Sequence, residues 1–213
     1  MFSHLKNAVG LDIKDGMNLL TCDLPEDIDL IYHLAAQSDV VPSWKDPLHD
    51  LDNIRMTARL SHHFPDAKIV YANSCASIQP ESPYGFSKGV AADYLFNFHD
   101  GDVVNLVFPN IYGPGSRSVV DKFKGKEEVT VYGSGLQTRD YVHVDDIVSG
   151  LLKAALWDEG TYYMGSGVST SVLELARDKK IRYEGARQEA FEVTVPNNTP
   201  DWKPVIKVME YIC

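Results

Sequence analysis

The sequence predicts an α/β protein built on a parallel sheet flanked by helices, and three observations predict it. Residues 28–34, 67–73 and 102–108 are strand-length runs, largely β-branched, aliphatic and aromatic, of the kind that is covered on both faces. Residues 41–64 and 82–95 separate them and carry apolar side chains at helical spacing, at 48, 51, 54, 58 and 60 in the first and at 86, 90, 91, 94 and 95 in the second. Strands that alternate with helices of this length are joined by crossovers, and crossovers make neighbouring strands parallel.

From the amino terminus, residues 8–12 read as a short strand ending in Asp12, followed by the turn Lys14-Asp15-Gly16. Residues 18–22 form a short apolar run that ends in Asp23-Leu24, and the strand 28–34 ends in Ala35-Ala36. The helix over 41–64 is interrupted near Pro47, because proline has no N–H to give to a helix interior. Ser82 is an N-cap and Pro83 suits the first helical position, so the next helix begins there. After the strand 102–108, Gly113-Pro114-Gly115 marks a turn. Residues 129–132 and 141–144 read as strands around Gly133-Ser134-Gly135, and Asp145-Asp146 is placed to cap a helix over 147–157. Residues 161–165 return as a strand, Ser171 and Glu174 form a capping box, and a last helix follows Pro204.

The chain has 213 residues, enough to bury a real core, and 44% of them are hydrophobic and 23% charged. Twenty Lys and Arg against thirty Asp and Glu give a formal charge of −10, which argues against a broad nucleic-acid surface. Cys22, Cys75 and Cys213 show neither metal-ligand spacing nor a disulfide framework, so no metal is expected and a reducing, cytoplasmic setting is. Neither a membrane span nor a signal peptide is expected. Asn197-Asn198-Thr199 matches a glycosylation sequon, taken as incidental. His62-His63 has no partner at ligand spacing and is read as a helix end.

Tyr84 and Lys88 stand four apart on the helix that starts at Ser82, one above the other on a single face. An ammonium beside a phenol favours phenolate, and so prepares Tyr84 to exchange a proton with a hydroxyl near neutral pH. The strand 67–73 runs into Ser74-Cys75-Ala76-Ser77 and so delivers Ser74 to the same region, completing a Ser-Tyr-Lys arrangement.

With these residues the chain resembles the extended short-chain dehydrogenase/reductase superfamily, in its NAD-dependent nucleotide-sugar epimerase/dehydratase branch, of the UDP-glucose 4-epimerase-like kind. Further stretches agree in order: Tyr32-His33-Leu34-Ala35-Ala36-Gln37, Asn53 with Thr57, residues 109–115, residues 137–146 and residues 163–167. The resemblance implies a reduced Rossmann-like parallel sheet with a small C-terminal substrate-binding region. Residues 1–108 would form the NAD-binding core, completed by about 139–165, while 109–138 and 166–213 would form the substrate region. The family opens with a strand and a glycine-rich turn that holds pyrophosphate. Here that turn is missing and residues 2–5 resemble only its tail, as expected if the chain is N-terminally shortened or if another segment fills the space.

The same resemblance implies roles residue by residue. Ser74, Tyr84 and Lys88 would be catalytic. Asp12, Asp23, Leu24, Ala35, Ala36, Asn53, Tyr84 and Lys88 would hold NAD, and Asn110, Arg139 and Arg187 would hold a nucleotide-diphosphate sugar. Several of these keep a plainer alternative: Asp12 as an exposed turn residue, Ala35-Ala36 as small residues for tight packing, Asn53 as an exposed helix residue, Arg139 as a salt-bridge partner of Asp140. An arginine usual before the family's asparagine is replaced by Val107 and Phe108, and Arg187-Gln188-Glu189 lacks the family's glycine. Dehydratases place an acidic pair directly after the serine, whereas Cys75 and Ala76 stand here. The expected activity is therefore epimerisation: oxidation to a keto sugar by hydride transfer to NAD, then return of hydride to the opposite face. A reductase or dehydratase is the second alternative. A rival of another class is a non-catalytic relative that binds nucleotide-sugar without a dinucleotide. Helices flanking the Tyr/Lys helix imply, by analogy, a homodimer.

Overall fold

The computed structural model describes residues 5, 7–38, 40–185 and 195–212. The first elements are β1 (Leu30–His33), α1 (Val40–Lys45), α2 (Leu48–His63), β2 (Lys68–Ser74), α3 (Pro83–Phe98) and β3 (Val103–Phe108). There follow β4 (Asn110–Tyr112), α4 (Val119–Phe123), β5 (Glu128–Tyr132), β6 (Thr138–His143) and α5 (Val144–Ala154). The last are β7 (Gly160–Tyr163), β8 (Ser169–Ser171), α6 (Val172–Leu175), β9 (Lys180–Glu184) and α7 (Val208–Ile212). The chain divides into two compact units, residues 1–107 with 152–162, and residues 108–151 with 163–213. The segment returning to the first unit is thus narrower than the 139–165 expected from the sequence.

In the first unit the sheet has the order β1-β2-β3-β7, and β1 runs parallel to β2 with Leu30 opposite Lys68 and His33 opposite Tyr71. The fold is α/β with a parallel, Rossmann-like sheet flanked by helices, as the strand and helix alternation predicts. Its core joins Ile69 and Tyr71 of β2, two residues apart and so on one face, to Val103 of β3 and to Ala91, Ala92 and Leu95 of α3. The small alanines let α3 lie close to the strands. A second cluster, Leu19, Leu60, Phe64 and Ala67, seats the end of α2 against the segment before β1.

The helix read over 41–64 is two helices, parted at Asp46-Pro47. α3 starts as its sequence dictates: Ser82 Oγ accepts from the Gly85 N–H at 3.1 Å, and Pro83 occupies the first turn. Residues 8–12 are a correction, for they form no strand. Asp12 Oδ1 accepts from the Lys14 N–H at 2.9 Å and caps a 3-10 turn, Ile13–Asp15, closed by Gly16 at φ 81°. With Val9 63% and Ile13 70% exposed, no apolar face is buried there, so the local turn prevails over strand pairing. Residues 18–22 are likewise a turn, pinned by Arg59, whose Nη2 donates to the Cys22 carbonyl at 2.7 Å.

The second unit holds a sheet ordered β4-β6-β8 and a two-stranded sheet of β5 and β9. β4 pairs parallel with β6, β6 antiparallel with β8, and β5 parallel with β9. Its core comprises Tyr112, Val120, Phe123, Val129, Val131, Tyr141, Val172 and Leu175 among others. The capping box at α6 is present, Ser171 Oγ accepting from the Glu174 N–H and Glu174 Oε2 from the Ser171 N–H. α5 begins at Val144, one residue ahead of the expected Asp145-Asp146 cap. Asp146 Oδ2 instead accepts from the Val205 and Ile206 N–H groups at 3.0 and 2.9 Å, tying the segment before α7 to α5. Among the described residues no helix is long and apolar enough to cross a membrane.

Candidate active site

The site builds up from the junction of β2 and α3. β2 ends at Ser74, whose N–H donates to Asn73 Oδ1 at 2.8 Å and whose Oγ accepts from the Ala76 N–H at 3.2 Å, opening a 3-10 turn over Cys75–Ser77. Because Ser74 Oγ already accepts that bond, its hydroxyl proton is left to donate elsewhere. The start of α3 presses on this turn: a Cβ built on Gly85 would overlap the Ala76 carbonyl. Glycine at position 85 is what lets the Tyr84 turn of α3 abut the turn of Ser74. Gly85→Ala is therefore expected to lower stability by about 1–3 kcal/mol, as over-packing does. Urea denaturation measures this, and an unchanged midpoint would mean the contact is not as close as described.

Tyr84 is half-buried, and its N–H donates to the buried Ser43 Oγ of α1 at 2.7 Å. One turn on, Lys88 is 3% exposed, and burial holds its ammonium down to a pKa of about 7. Among the described residues no carboxylate pairs with Lys88. Its Nζ sits instead 4.1 Å from the centroid of the Tyr71 ring. The Tyr71 phenol is pushed upward, first by burial and then by the Tyr84 charge, while a bond to Thr57 opposes this. Tyr84 and Lys88 thus share one neighbour, Tyr71.

Behind them lies a buried polar network. Thr57 Oγ1 donates to the Asn53 carbonyl at 2.8 Å and lies 2.9 Å from His33 Nε2. With its proton spent, Thr57 must accept, which places the His33 proton on Nε2 and leaves Nδ1 bare and, among the described residues, without a partner. Burial first, and the Lys88 charge second, hold His33 down to a pKa of about 3, so it is neutral at physiological pH. Asn53 is 1% exposed: its Oδ1 accepts from the Gln37 N–H at 2.8 Å, and its Nδ2 donates to the Gln37 carbonyl at 3.2 Å and to Ser87 Oγ at 3.0 Å. Ser87 in turn donates to the Tyr84 carbonyl at 2.9 Å.

The structure therefore brings Ser74, Tyr84 and Lys88 to one junction. Asn53 is not the exposed helix residue of the plainer alternative: it laces the segment after β1 to α3, which is the loop-supporting place that the family's Asn-x-x-x-Thr implies. Ala35 and Ala36 follow β1, half-buried, and Ala35 packs against the α2 cluster together with Leu24. Asp23 is exposed, and the Asp12 carboxylate is engaged by its own turn. In the second unit the β4–β6 register sets Asn110 opposite Tyr141, two residues beyond Arg139. Arg139 Nη1 donates to the Thr138 carbonyl at 2.6 Å, and Asn110 Nδ2 lies 3.5 Å from the Asp140 carbonyl. The Asp140 carboxylate is buried and accepts from the Ser166 N–H and hydroxyl and from the Gly167 N–H, so it braces the loop after β7. Arg187 lies outside the described residues. Sequence reasoning missed Ser43, Tyr71 and Ser87, and gave His33 no role. Only Tyr71 carried a usable signal, an aromatic on the buried strand three residues before Ser74.

The residues present fit NAD in one respect: Lys88, one turn after Tyr84 on α3, is a buried ammonium with no carboxylate partner among the described residues, and on the turn that α3 abuts the Ser74 hydroxyl keeps its proton to donate. The chain is also similar to known proteins. A provisionally named UDP-glucose 4-epimerase of Methanocaldococcus jannaschii is 32% identical over 203 residues, 78% of this chain and 65% of that one. The UDP-glucose 4-epimerase of Mycolicibacterium smegmatis is 32% identical over 180 residues, 69% of this chain and 58% of that one. The chain thus spans less than two thirds of the length of these relatives. The crystal structure of Thermotoga maritima UDP-glucose 4-epimerase with UDP-glucose superposes with a TM-score of 0.79 at 25% identity, covering 86% of this chain and 74% of that one. MoeE5, solved with UDP-glucose and NAD, gives the same score and identity over 93% and 80%. The family model for NAD dependent epimerases and dehydratases matches residues 3–165, a span that includes the Ser74, Tyr84 and Lys88 junction, and the chain belongs to that family.

Proposed function

We propose that this protein is an NAD-dependent nucleotide-sugar epimerase. The observation that carries the proposal is the junction itself: Tyr84 and Lys88 on one face of α3, both beside Tyr71, with Ser74 on the turn that α3 presses against. Lys88, Tyr84 and the small pair Ala35-Ala36 would hold the cofactor on the first unit. When bound, NAD supplies the acceptor and donor of hydride.

Tyr84 takes the proton from a sugar hydroxyl as phenolate and returns it to the oxygen afterwards. The Lys88 ammonium stabilises that phenolate, and the hydroxyl of Ser74 donates to the reacting oxygen, holding it against the phenol. Asn53 and Ser87 fix the carbonyl end of the Tyr84 turn, so the phenol does not drift with the loop after β1. In the second unit Asn110 and Arg139, on adjacent strands, would take the nucleotide diphosphate, the guanidinium matching phosphate oxygens. Water elimination needs an added acid and base, and Cys75 and Ala76 occupy those positions, which favours epimerisation.

Thermal denaturation with NAD, with NADP and with UDP-glucose tests this reading, together with mass analysis of the purified protein for carried cofactor. A rise in Tm with NAD at millimolar concentration, and exchange between UDP-glucose and its 4-epimer, are expected. If NAD neither stabilises nor copurifies, the enzymatic proposal fails for this chain.

A further inference from the structure

Lys88 is a buried cation in an unusual setting. A lysine taken out of water normally finds a carboxylate or gives up its proton, because an unpaired charge in low dielectric is strongly disfavoured. Among the described residues no carboxylate pairs with it. The groups that face it are, from β1, His33, neutral with its proton on Nε2; from β2, Tyr71; and from its own helix, Tyr84. From α2, uncharged Thr57 and Asn53 belong to the network behind it, and the buried carboxylate of Asp50, one turn before Asn53, makes no ion pair with Lys88 among the described residues.

We propose that Tyr71 is the positioning residue for Lys88: the face of its ring holds the ammonium on the Tyr84 side of α3 and favours the charged form. This rests on the function proposed above. The ring is fully buried and built to stay where it is. Its hydroxyl lies 3.4 Å from the Lys88 carbonyl, it bonds to Thr57, and the His33 ring packs against it at 5.4 Å and 45°. Nζ stands 4.1 Å from its centroid, well within the range in which the negative face of an aromatic ring attracts a cation. An aliphatic residue at position 71 would offer the ammonium no ring face. The network beneath also has to stay neutral, since a proton on His33 would set a second positive charge beside the first.

The test replaces Tyr71 by phenylalanine and by its mono-, di- and trifluorinated forms, which keep the shape of the ring while progressively weakening its negative face. Lys88 is followed by NMR of protein labelled at the lysine side-chain carbon and nitrogen, its signal assigned by its loss in Lys88→Met. Tyr71→Phe is expected to leave the Lys88 titration where it is, and the trifluorinated ring to lower its midpoint by about one pH unit, a tenfold change in the ammonium to amine ratio. Tyr71→Leu should do the same if it folds, and the fluorinated series decides the matter if it does not. A midpoint that stays flat across the series overturns the proposal. The NMR measurement needs no turnover, so absence of epimerase activity would refute the proposed function while leaving the ring and ammonium pairing to be judged separately.

Discussion

Tyr84→Phe is expected to abolish turnover while leaving nucleotide-sugar binding within a factor of a few. Removing the phenolic oxygen takes away the only group at the junction of β2 and α3 for which the proposed chemistry needs a gain and loss of a proton. A positioned acid or base contributes ~10²–10⁴ in rate, so a loss of at least 10²-fold in kcat is expected. The ring remains, and the contacts that set α3 run through its backbone: the Tyr84 N–H to Ser43, the Tyr84 carbonyl from Ser87, and Ser82 to Gly85. The fold should therefore be unaffected, and calorimetric titration with UDP-glucose should give nearly the parent affinity. Because the effect falls on kcat and not on binding, it separates a proton-transfer role from a packing role. Parent-level turnover by the variant would remove Tyr84 from the mechanism.

The strands and helices that bury continuous apolar runs were readable in the sequence because their pattern and their environment coincide. β2 and β3 bury the runs their composition marks, whereas α3 buries Ala91 and Leu95 of its predicted face but leaves Phe86 58% exposed and turns Ser87 and Lys88 inward. The Ser82 cap and the Ser171–Glu174 box rely on contacts within four residues. Where the sequence misled, the deciding contact was remote or unusually local. Residues 8–12 have strand-like composition, yet nothing buries them, and the bond from Lys14 to Asp12 suffices to make a turn. Asp146 looks like a cap and is instead claimed by the N–H groups of Val205 and Ile206, some sixty residues on. Asn53 matched a motif, but that its amide is spent on Gln37 and Ser87 could not be read from spacing, since those partners lie 16 and 34 residues away. The Ser-Tyr-Lys set was readable because its chemistry is carried by residue type at helical spacing. Its environment was not: that Lys88 faces a ring and not a carboxylate depends on β2 and α3 packing at a particular register.

Lys88→Met is expected to stabilise the protein while abolishing activity, and the sign of its pH dependence follows from burial. The ordinary lysine value is 10.5, and burial lowers it to about 7 in the folded chain. Below pH 7 folded and unfolded chains both hold the proton, so the folded chain carries the full desolvation penalty of an ammonium, only part of it offset by the Tyr71 ring. Between about 7 and 10.5 the unfolded chain binds more protons than the folded one, so parent stability rises with pH, by at most ~1.4 kcal/mol per unit. Methionine has no charge to desolvate and nearly the same reach, so the variant should be more stable by on the order of 2–4 kcal/mol below pH 7. That advantage should shrink steadily toward pH 10.5. His33 works in the opposite pH range: its pKa of about 3, against an ordinary 6.5, makes parent stability fall as pH drops from 6.5 toward 3, and burial, the larger cause, keeps that direction in the variant although the Lys88 charge is gone. The difference between parent and variant in urea denaturation from pH 7 to 10 therefore follows the lysine above the His33 range. If parent and variant give parallel curves, Lys88 is not desolvated in the folded state. If they converge with rising pH while turnover stays lost, the charge that the proposed chemistry requires is held at the expense of stability, which a residue kept only for packing would not do.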